Sequence, residues 1–254
     1  MGKKSRKPKR NKPKDIPVPR QVTPSAADDL ETYLQLIESQ DWEEILELES
    51  KMSAFANTSE SSDPTLAAVI NLINYSLGAA HKEMSREGGI EQASVYFKKS
   101  VELAKKAGDN EILTKGVLHL FECYIKMGRV GEAMDLHKSL CDEIGKESMD
   151  PSNILEFVQT LKDNHEPSRA LEILEEHLDN IERSWEKREQ CLAYDMIALL
   201  YCKKNDFAKS NVYFKRQLSI AKETKNMELE ASALNGLGLN NGCMGEYGNA
   251  MAYL

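Results

Sequence analysis

Residues 231–254 of the chain read ASALNGLGLNNGCMGEYGNAMAYL. Leu234 and Leu237 stand three residues apart, as apolar side chains do on one face of a helix. Gly245 then interrupts the pattern and indicates a turn. Ala250, in the stretch after the turn, is small enough to let a second helix pack closely on the first. The segment therefore predicts two antiparallel helices joined by a short turn.

The same pattern occurs four more times on the N-terminal side, at steps of 37 or 40 residues. The five units start at Asn74, Thr114, Pro151, Cys191 and Ala231. The twentieth position of every unit holds a small residue: Ala93, Ala133, Ala170, Ser210 and Ala250. Each unit also carries a turn signal between its two apolar stretches: Gly88-Gly89, Met127-Gly128, Asn164-His165, Asn205-Asp206 and Gly245. One hairpin cannot bury both of its apolar faces, but stacked neighbours can, so we predict an all-α fold, an α-solenoid of antiparallel helical hairpins.

The rest of the chain divides around this array. Residues 25–63 contain two apolar stripes and end in a Ser- and Asp-rich loop, which predicts one divergent N-terminal hairpin. Residues 64–254 form the predicted array, whose last unit is incomplete. Residues 1–24 form a separate tail. In total we expect about ten to eleven helices.

The last unit resembles the tetratricopeptide repeat (TPR). The resemblance is carried by Leu234, Leu237, Gly238, Gly245, Tyr247 and Ala250. The 40-residue step is similar to the long-period branch of that superfamily, seen in kinesin light chains and LGN-type adaptors. The resemblance covers about residues 74–254 and implies a right-handed superhelix of hairpins. The middle units depart from the motif at Phe121, Val158 and Pro167.

Charge is unevenly distributed between the tail and the body. Residues 1–24 hold nine basic residues and one acid, whereas the rest of the chain holds 24 bases and 40 acids, within an overall formal charge of −8. Five of the eight prolines also lie in this basic tail, which predicts disorder. The tail has three interpretations: a nuclear address, a contact to RNA phosphates, or a solvated segment without a receptor. The acidic body disfavours nucleic acid as the main ligand, because its field repels phosphate.

Enzyme and metal motifs are not found in the sequence. It has no Gly-rich phosphate loop, no H-E-x-x-H, no G-x-S-x-G and no C-x-x-C. His119 with Cys123 and His137 with Cys141 have a spacing that could supply four zinc ligands from one hairpin. His137 and Cys141 occupy predicted core positions, however, so we expect packing. We therefore predict a non-catalytic protein with no metal and no cofactor.

The predicted function is a scaffold or adaptor that binds a peptide segment of a partner protein. In TPR proteins the concave face is lined by the first helix of each unit, at its positions 2, 5, 9 and 12. Carried onto this chain by the resemblance, the polar members of that face are Lys82, Lys115, Glu122, Gln159, Lys162, Asp195 and Asn235. Two alternatives stay open: a nuclear or ribosome-associated factor whose tail contacts RNA, and the regulatory arm of a longer protein.

Cellular location and assembly follow from a few further features. The five cysteines are scattered and no secretory signal precedes them, which indicates an intracellular protein, cytoplasmic or nuclear. No apolar run is long enough to span a membrane. The last unit stops inside its second helix, so we expect either a fragment of a longer array or an unusually short final helix. Its uncovered face predicts self-association.

Overall fold

The structure, a computed structural model, describes residues 24–58, 64–84 and 87–253. The basic tail up to residue 23 and Leu254 therefore lie outside the described residues. Within the described ranges the chain forms fourteen α-helices and one short 3-10 helix, and no strand. The chain divides into two compact units, Met1–Gly116 and Val117–Leu254.

The first unit contains the helices α1 to α5. They are α1 (Pro24–Ser39), α2 (Trp42–Glu47), α3 (Glu49–Thr58), α4 (Pro64–Met84) and α5 (Gly89–Ala107). The following helix, α6 (Asn110–Lys126), contains the boundary between the units.

The second unit contains the remaining helices. They are α7 (Val130–Ile144), α8 (Pro151–Asp163), α9 (Pro167–Glu176), α10 (Leu178–Ser184), α11 (Lys187–Lys203), α12 (Phe207–Glu223), α13 (Met227–Cys243) and α14 (Tyr247–Tyr253). A 3-10 helix, Lys146–Ser148, precedes α8.

The fourteen helices of the described residues exceed the predicted ten to eleven, and two of the additional helices arise where one helical rod is interrupted. Leu48 separates α2 from α3, and His177 separates α9 from α10. At both positions the helical hydrogen bonds continue: the amide donates to the carbonyl four residues before it, and the carbonyl accepts from the amide four residues after it. The Ile181 amide, for example, donates to the His177 carbonyl at 2.9 Å. Each interruption is thus a local distortion within one helical rod, which periodicity alone does not reveal.

The predicted turns are confirmed by the backbone. One residue of every predicted turn signal has a positive φ: Gly88, Gly128, His165, Asn205 and Gly245, at 72°, 73°, 63°, 59° and 78°. A left-handed residue just after a helix ends it and satisfies its last carbonyls, as at Gly128, His165, Asn205 and Gly245, whereas Gly88 precedes the first residue of α5. The chain therefore reverses at these five places and brings consecutive helices side by side.

The first unit is built on α4, against which the N-terminal segment packs. Tyr33 of α1 is fully buried, and its hydroxyl lies 2.8 Å from the Ser76 hydroxyl of α4. Ile45 and Met52, from α2 and α3, belong to the same apolar core. Helices α1, α2 and α3 therefore share one apolar core with α4, and the divergent N-terminal segment completes the core of this unit.

In the second unit the predicted row of small residues lies in the core. Ala133, Ala170 and Ser210 are fully buried, and Ala250 is 7% exposed. The Ser210 hydroxyl donates to the Ala198 carbonyl on the preceding helix at 2.8 Å. Small side chains thus let the second helix of each hairpin approach the first, as predicted. The division into tail, divergent hairpin and array stays a prediction.

Candidate protein-interaction face

Two of the predicted binding residues belong to the first unit. Lys82 lies half-buried in the last turn of α4. Lys115 is exposed on α6 and pairs with Glu111 of the same helix at 2.6 Å. Such solvent-exposed pairs contribute little to stability.

Three more predicted residues lie on α6 and α8. Glu122 of α6 pairs with Lys126 at 2.7 Å. On α8, the side-chain amide of Gln159 donates to Asp163 at 2.6 Å. Lys162 lies half-buried on the same helix. These contacts are local, and they leave the outer surface of α8 polar.

Asp195 is the predicted residue that links different helices. Its Oδ1 accepts hydrogen bonds from Nε2 of Gln217 on α12 and from the hydroxyl of Ser232 on α13, both at 3.1 Å. Ser232 and Asp195 stand at positions 2 and 5 of neighbouring units. The first helices of these two hairpins therefore adjoin at this point, on one side of the second unit.

The thiol of Cys191, four residues before Asp195, is unreactive at neutral pH. Burial, together with the negative charge of Asp195, raises the pKa of Cys191 to about 11. The thiol therefore stays protonated at neutral pH, and a nucleophilic role for Cys191 has no support.

Three leucines stand exposed around Asp195. Leu192 and Leu199 of α11 are 37% and 41% exposed, and Leu239 of α13 is 61% exposed. On α11, Leu192 and Leu199 lie three residues before and four residues after Asp195, hence on the same helix face. On α13, Leu239 follows Asn235 by four residues. We call the surface made by Leu192, Asp195, Leu199, Ser232, Asn235 and Leu239 the leucine face.

Sequence reasoning missed these leucines although their positions carried a signal. The candidates predicted for the binding face are the polar side chains at positions 2, 5, 9 and 12 only. Leu192, Leu199 and Leu239 occupy positions 2 and 9 of their units, the same positions that supplied the polar candidates. Core positions 4, 7, 8 and 11 are already filled in the unit that starts at Cys191, so extra leucines there indicate a surface.

The leucine face continues toward α8, which also packs against α11. Leu155, Gln159 and Lys162 occupy the equivalent positions of α8, and all three are half-buried. In the second unit, α8, α11 and α13 are each the first helix of a hairpin. All three carry both apolar and polar side chains at these equivalent positions.

The final hairpin differs from the prediction. From the sequence, the residues expected to hold α14 on its partner helix are Tyr247, Ala250, Met251 and Leu254, of which Leu254 lies outside the described residues. Ala250 does pack inward, but Tyr247 and Met251 are 71% and 79% exposed. Tyr253 packs instead, against the cluster that contains Leu237. The reason is that α14 buries the stripe of positions 250 and 253 and leaves the stripe of 247 and 251 in solvent.

The predicted His and Cys pairs are only partly brought together. His137 and Cys141 are buried, as predicted from their core positions. Among the described residues, the side chain that joins them is His177, and neither His119 nor Cys123 belongs to this cluster.

Comparison with known proteins finds likeness in structure alone. No family model matches the chain, and no curated protein sequence matches it significantly. The crystal structure of BtubC (BKLC) from P. vanneervenii is similar with a TM-score of 0.55 at 17% identity, over 83% of this chain and 88% of that one. A Podosopora anserina chain described as a kinesin light chain with nearly identical TPR-like repeats gives 0.54 at 16% identity, over 80% and 97%. The apo form of RapI gives 0.50 at 14% identity, over 90% and 74%.

None of the helices in the described ranges is long and apolar enough to cross a membrane. The helices, the turns between them and the structural likenesses agree with the prediction made from residues 231–254. The chain has the α-solenoid fold of tetratricopeptide-like helical hairpins.

Proposed function

We propose that the chain is a non-catalytic scaffold that binds an extended segment of a partner protein on the leucine face. The observation that carries the proposal is the set of three exposed leucines, Leu192, Leu199 and Leu239, on adjoining first helices. Folded chains rarely group large apolar side chains on the surface without a use, and such groups mark binding sites. The TPR-like fold supports this role, since such folds serve as scaffolds for protein interactions.

The chemistry of the leucine face suits a segment with apolar anchors and a polar backbone. Leucine side chains contribute by losing contact with water, at about 25 cal/mol per Å² buried. Asn235 and the Asp195–Ser232 pair offer hydrogen-bonding groups beside them. Because all six residues lie on helices, little ordering of the receptor is needed on binding.

The seven residues predicted from the sequence take a secondary place in this proposal. Asp195 and Asn235 lie on the leucine face itself, and Gln159 and Lys162 occupy equivalent positions on α8. Lys82, Lys115 and Glu122 belong to the hairpins before them, and their part in a continuous groove stays a prediction. The RNA contact through the basic tail also stays a prediction, since that segment lies outside the described residues.

The experiment compares two glutamate substitutions in quantitative pull-downs. Leu239→Glu places a charge on the leucine face. Val212→Glu places the same charge on α12, at a side chain that is 50% exposed. Both side chains are exposed, so neither substitution should unfold the hairpin in which it lies. We expect at least one protein to be retained by the wild type and by Val212→Glu but lost with Leu239→Glu. An identical set of retained proteins on all three chains would refute the assignment of this face.

A further inference from the structure

Three side chains that commonly bind metals converge inside the second unit. His137 and Cys141 lie one turn apart on α7, and His177 lies at the junction of α9 and α10. The Sγ of Cys141 is 3.7 Å from Nε2 of His137 and 3.7 Å from Nε2 of His177. The three ligand atoms all lie within 4.8 Å of one another. We call these three residues the His–Cys cluster.

The cluster is enclosed by protein. His137, Cys141 and His177 are 1%, 2% and 1% exposed. The two imidazoles meet edge to face with centroids 5.5 Å apart, and the His137 ring lies 5.0 Å from that of Phe157. The structure therefore removes three polar groups from water, which is unfavourable unless they find partners.

Packing alone does not account for the residue types. His137 stands at position 24 of its unit. The same position holds Phe97, Leu174 and Phe214 in other units, all buried. In addition, Nδ1 of His177 is buried and has no hydrogen-bond partner. An apolar side chain would fill position 24 without the desolvation of an imidazole, and the Nδ1 of His177 adds a second unfavourable burial, so the polar cluster indicates another use.

The distances fit a bound metal ion. Metal–sulfur and metal–nitrogen bonds of the lengths found in zinc sites, about 2.3 and 2.1 Å, at angles of about 110–120°, place sulfur and nitrogen about 3.6–3.8 Å apart. Both observed separations, at 3.7 Å, fall in that range. One ring nitrogen of each histidine lies within 4.8 Å of the other, and the two need to lie about 3.5 Å apart, so they close by little more than about 1 Å at most. No hydrogen bond at Nδ1 of His177 opposes a small rotation of its ring.

Charge and ligand number select among metals. One thiolate and two neutral imidazoles around a monovalent ion give a centre with no net charge. A divalent ion such as Zn²⁺ would leave a buried positive charge and favours a fourth ligand. Glu176, the carboxylate next to His177 in sequence, already accepts a hydrogen bond from Lys146. Soft thiolate ligands suit both monovalent copper and zinc, so charge and ligand number decide in favour of monovalent copper.

We propose that His137, Cys141 and His177 form a buried three-coordinate binding site for Cu(I). Binding replaces the S–H bond of Cys141 with a copper–sulfur bond, and the proton leaves to solvent. Copper stays monovalent throughout, so no oxidant or reductant takes part. The site is distinct from the leucine face, and the proposal does not depend on the proposed scaffold role.

The test is a titration of the reduced full-length chain with Cu(I) under anaerobic conditions, against a competing Cu(I) chelator. We expect one copper bound per chain. Cys141→Ser should lose that equivalent, whereas Cys123→Ser, which changes another buried cysteine, should keep it. Circular dichroism establishes that both variants fold. If Cys141→Ser does not fold, His177→Gln is used in its place, and this variant should likewise lose the bound copper.

X-ray absorption of the copper-loaded wild type decides the ligand set without any variant. One sulfur and two imidazole nitrogens per copper would support the proposal. Two or more sulfur ligands, binding that survives Cys141→Ser, or no wild-type binding above the Cys141→Ser level would overturn it. Tight binding of Zn²⁺ without Cu(I) binding would overturn the assignment of the metal.

Discussion

Replacing Gly236 by alanine should disrupt the stacking of one hairpin on the next. Gly236 lies in α13, and a Cβ built there would stand 2.7 Å from Cε1 of Phe214, and closer still to Cε2 and Cζ. Phe214 belongs to α12, the second helix of the preceding unit, and is 1% exposed. The ring cannot swing into solvent, so it must push apart its neighbours. Overpacking of this kind costs about 1–3 kcal/mol.

A matched control separates the clash from the helix propensity of alanine. Gly242 lies on the same helix, and a Cβ built there meets nothing within 4 Å. Gly242→Ala should therefore be neutral or stabilising, by at most about 1 kcal/mol. We expect Gly236→Ala to be less stable than Gly242→Ala by about 1–3 kcal/mol in chemical denaturation followed by circular dichroism. The smaller side chain in Phe214→Leu should make Gly236→Ala less harmful when the two are combined.

The outcome bears on how neighbouring hairpins meet. If Gly236→Ala and Gly242→Ala have the same stability, no ring lies over Gly236. The packing of α12 on α13, and with it the stacked arrangement of the last two hairpins, would then be wrong.

Three further predictions concern other parts of the chain. Tyr33→Phe should lower the free energy of unfolding by about 1 kcal/mol in chemical denaturation, because it removes the buried hydrogen bond with Ser76. Burial lowers the pKa of His137 to about 4, below its unfolded value of about 6.5, so stability measured by denaturation should be full above pH 6.5 and should fall as pH drops toward 4. His137→Leu should weaken that dependence, and an unchanged pH profile would contradict it. Met251→Lys should reduce concentration-dependent self-association in sedimentation, if the exposed stripe of Tyr247 and Met251 mediates it.

The hairpin fold was accessible from sequence because its determinants are local. A small residue such as Ser210 and a turn residue such as Asn205 act within one hairpin, and the structure shows both in their predicted roles. Spacing alone therefore predicted the turns and the close helix contacts. The distortion at His177 was not visible, since it depends on packing rather than on propensity.

The candidate sites needed the tertiary structure. The hydrogen bond between Asp195 and Ser232 joins residues 37 positions apart, and no local pattern indicates it. His177 joins Cys141 across 36 positions, whereas local spacing suggested His119 and Cys123. The exposed leucines, such as Leu239, are accessible from sequence, because their positions in the repeat are those of the predicted binding face.

The central claim is that the leucine face contacts a partner protein, and site-specific photo-crosslinking in living cells tests it most directly. A photoreactive amino acid in place of Leu199 should give a covalent adduct with a partner. The same amino acid in place of Val212, on α12, should give no such adduct. Adducts from Val212 alone, or equal adducts from both positions, would contradict the assignment of the binding face.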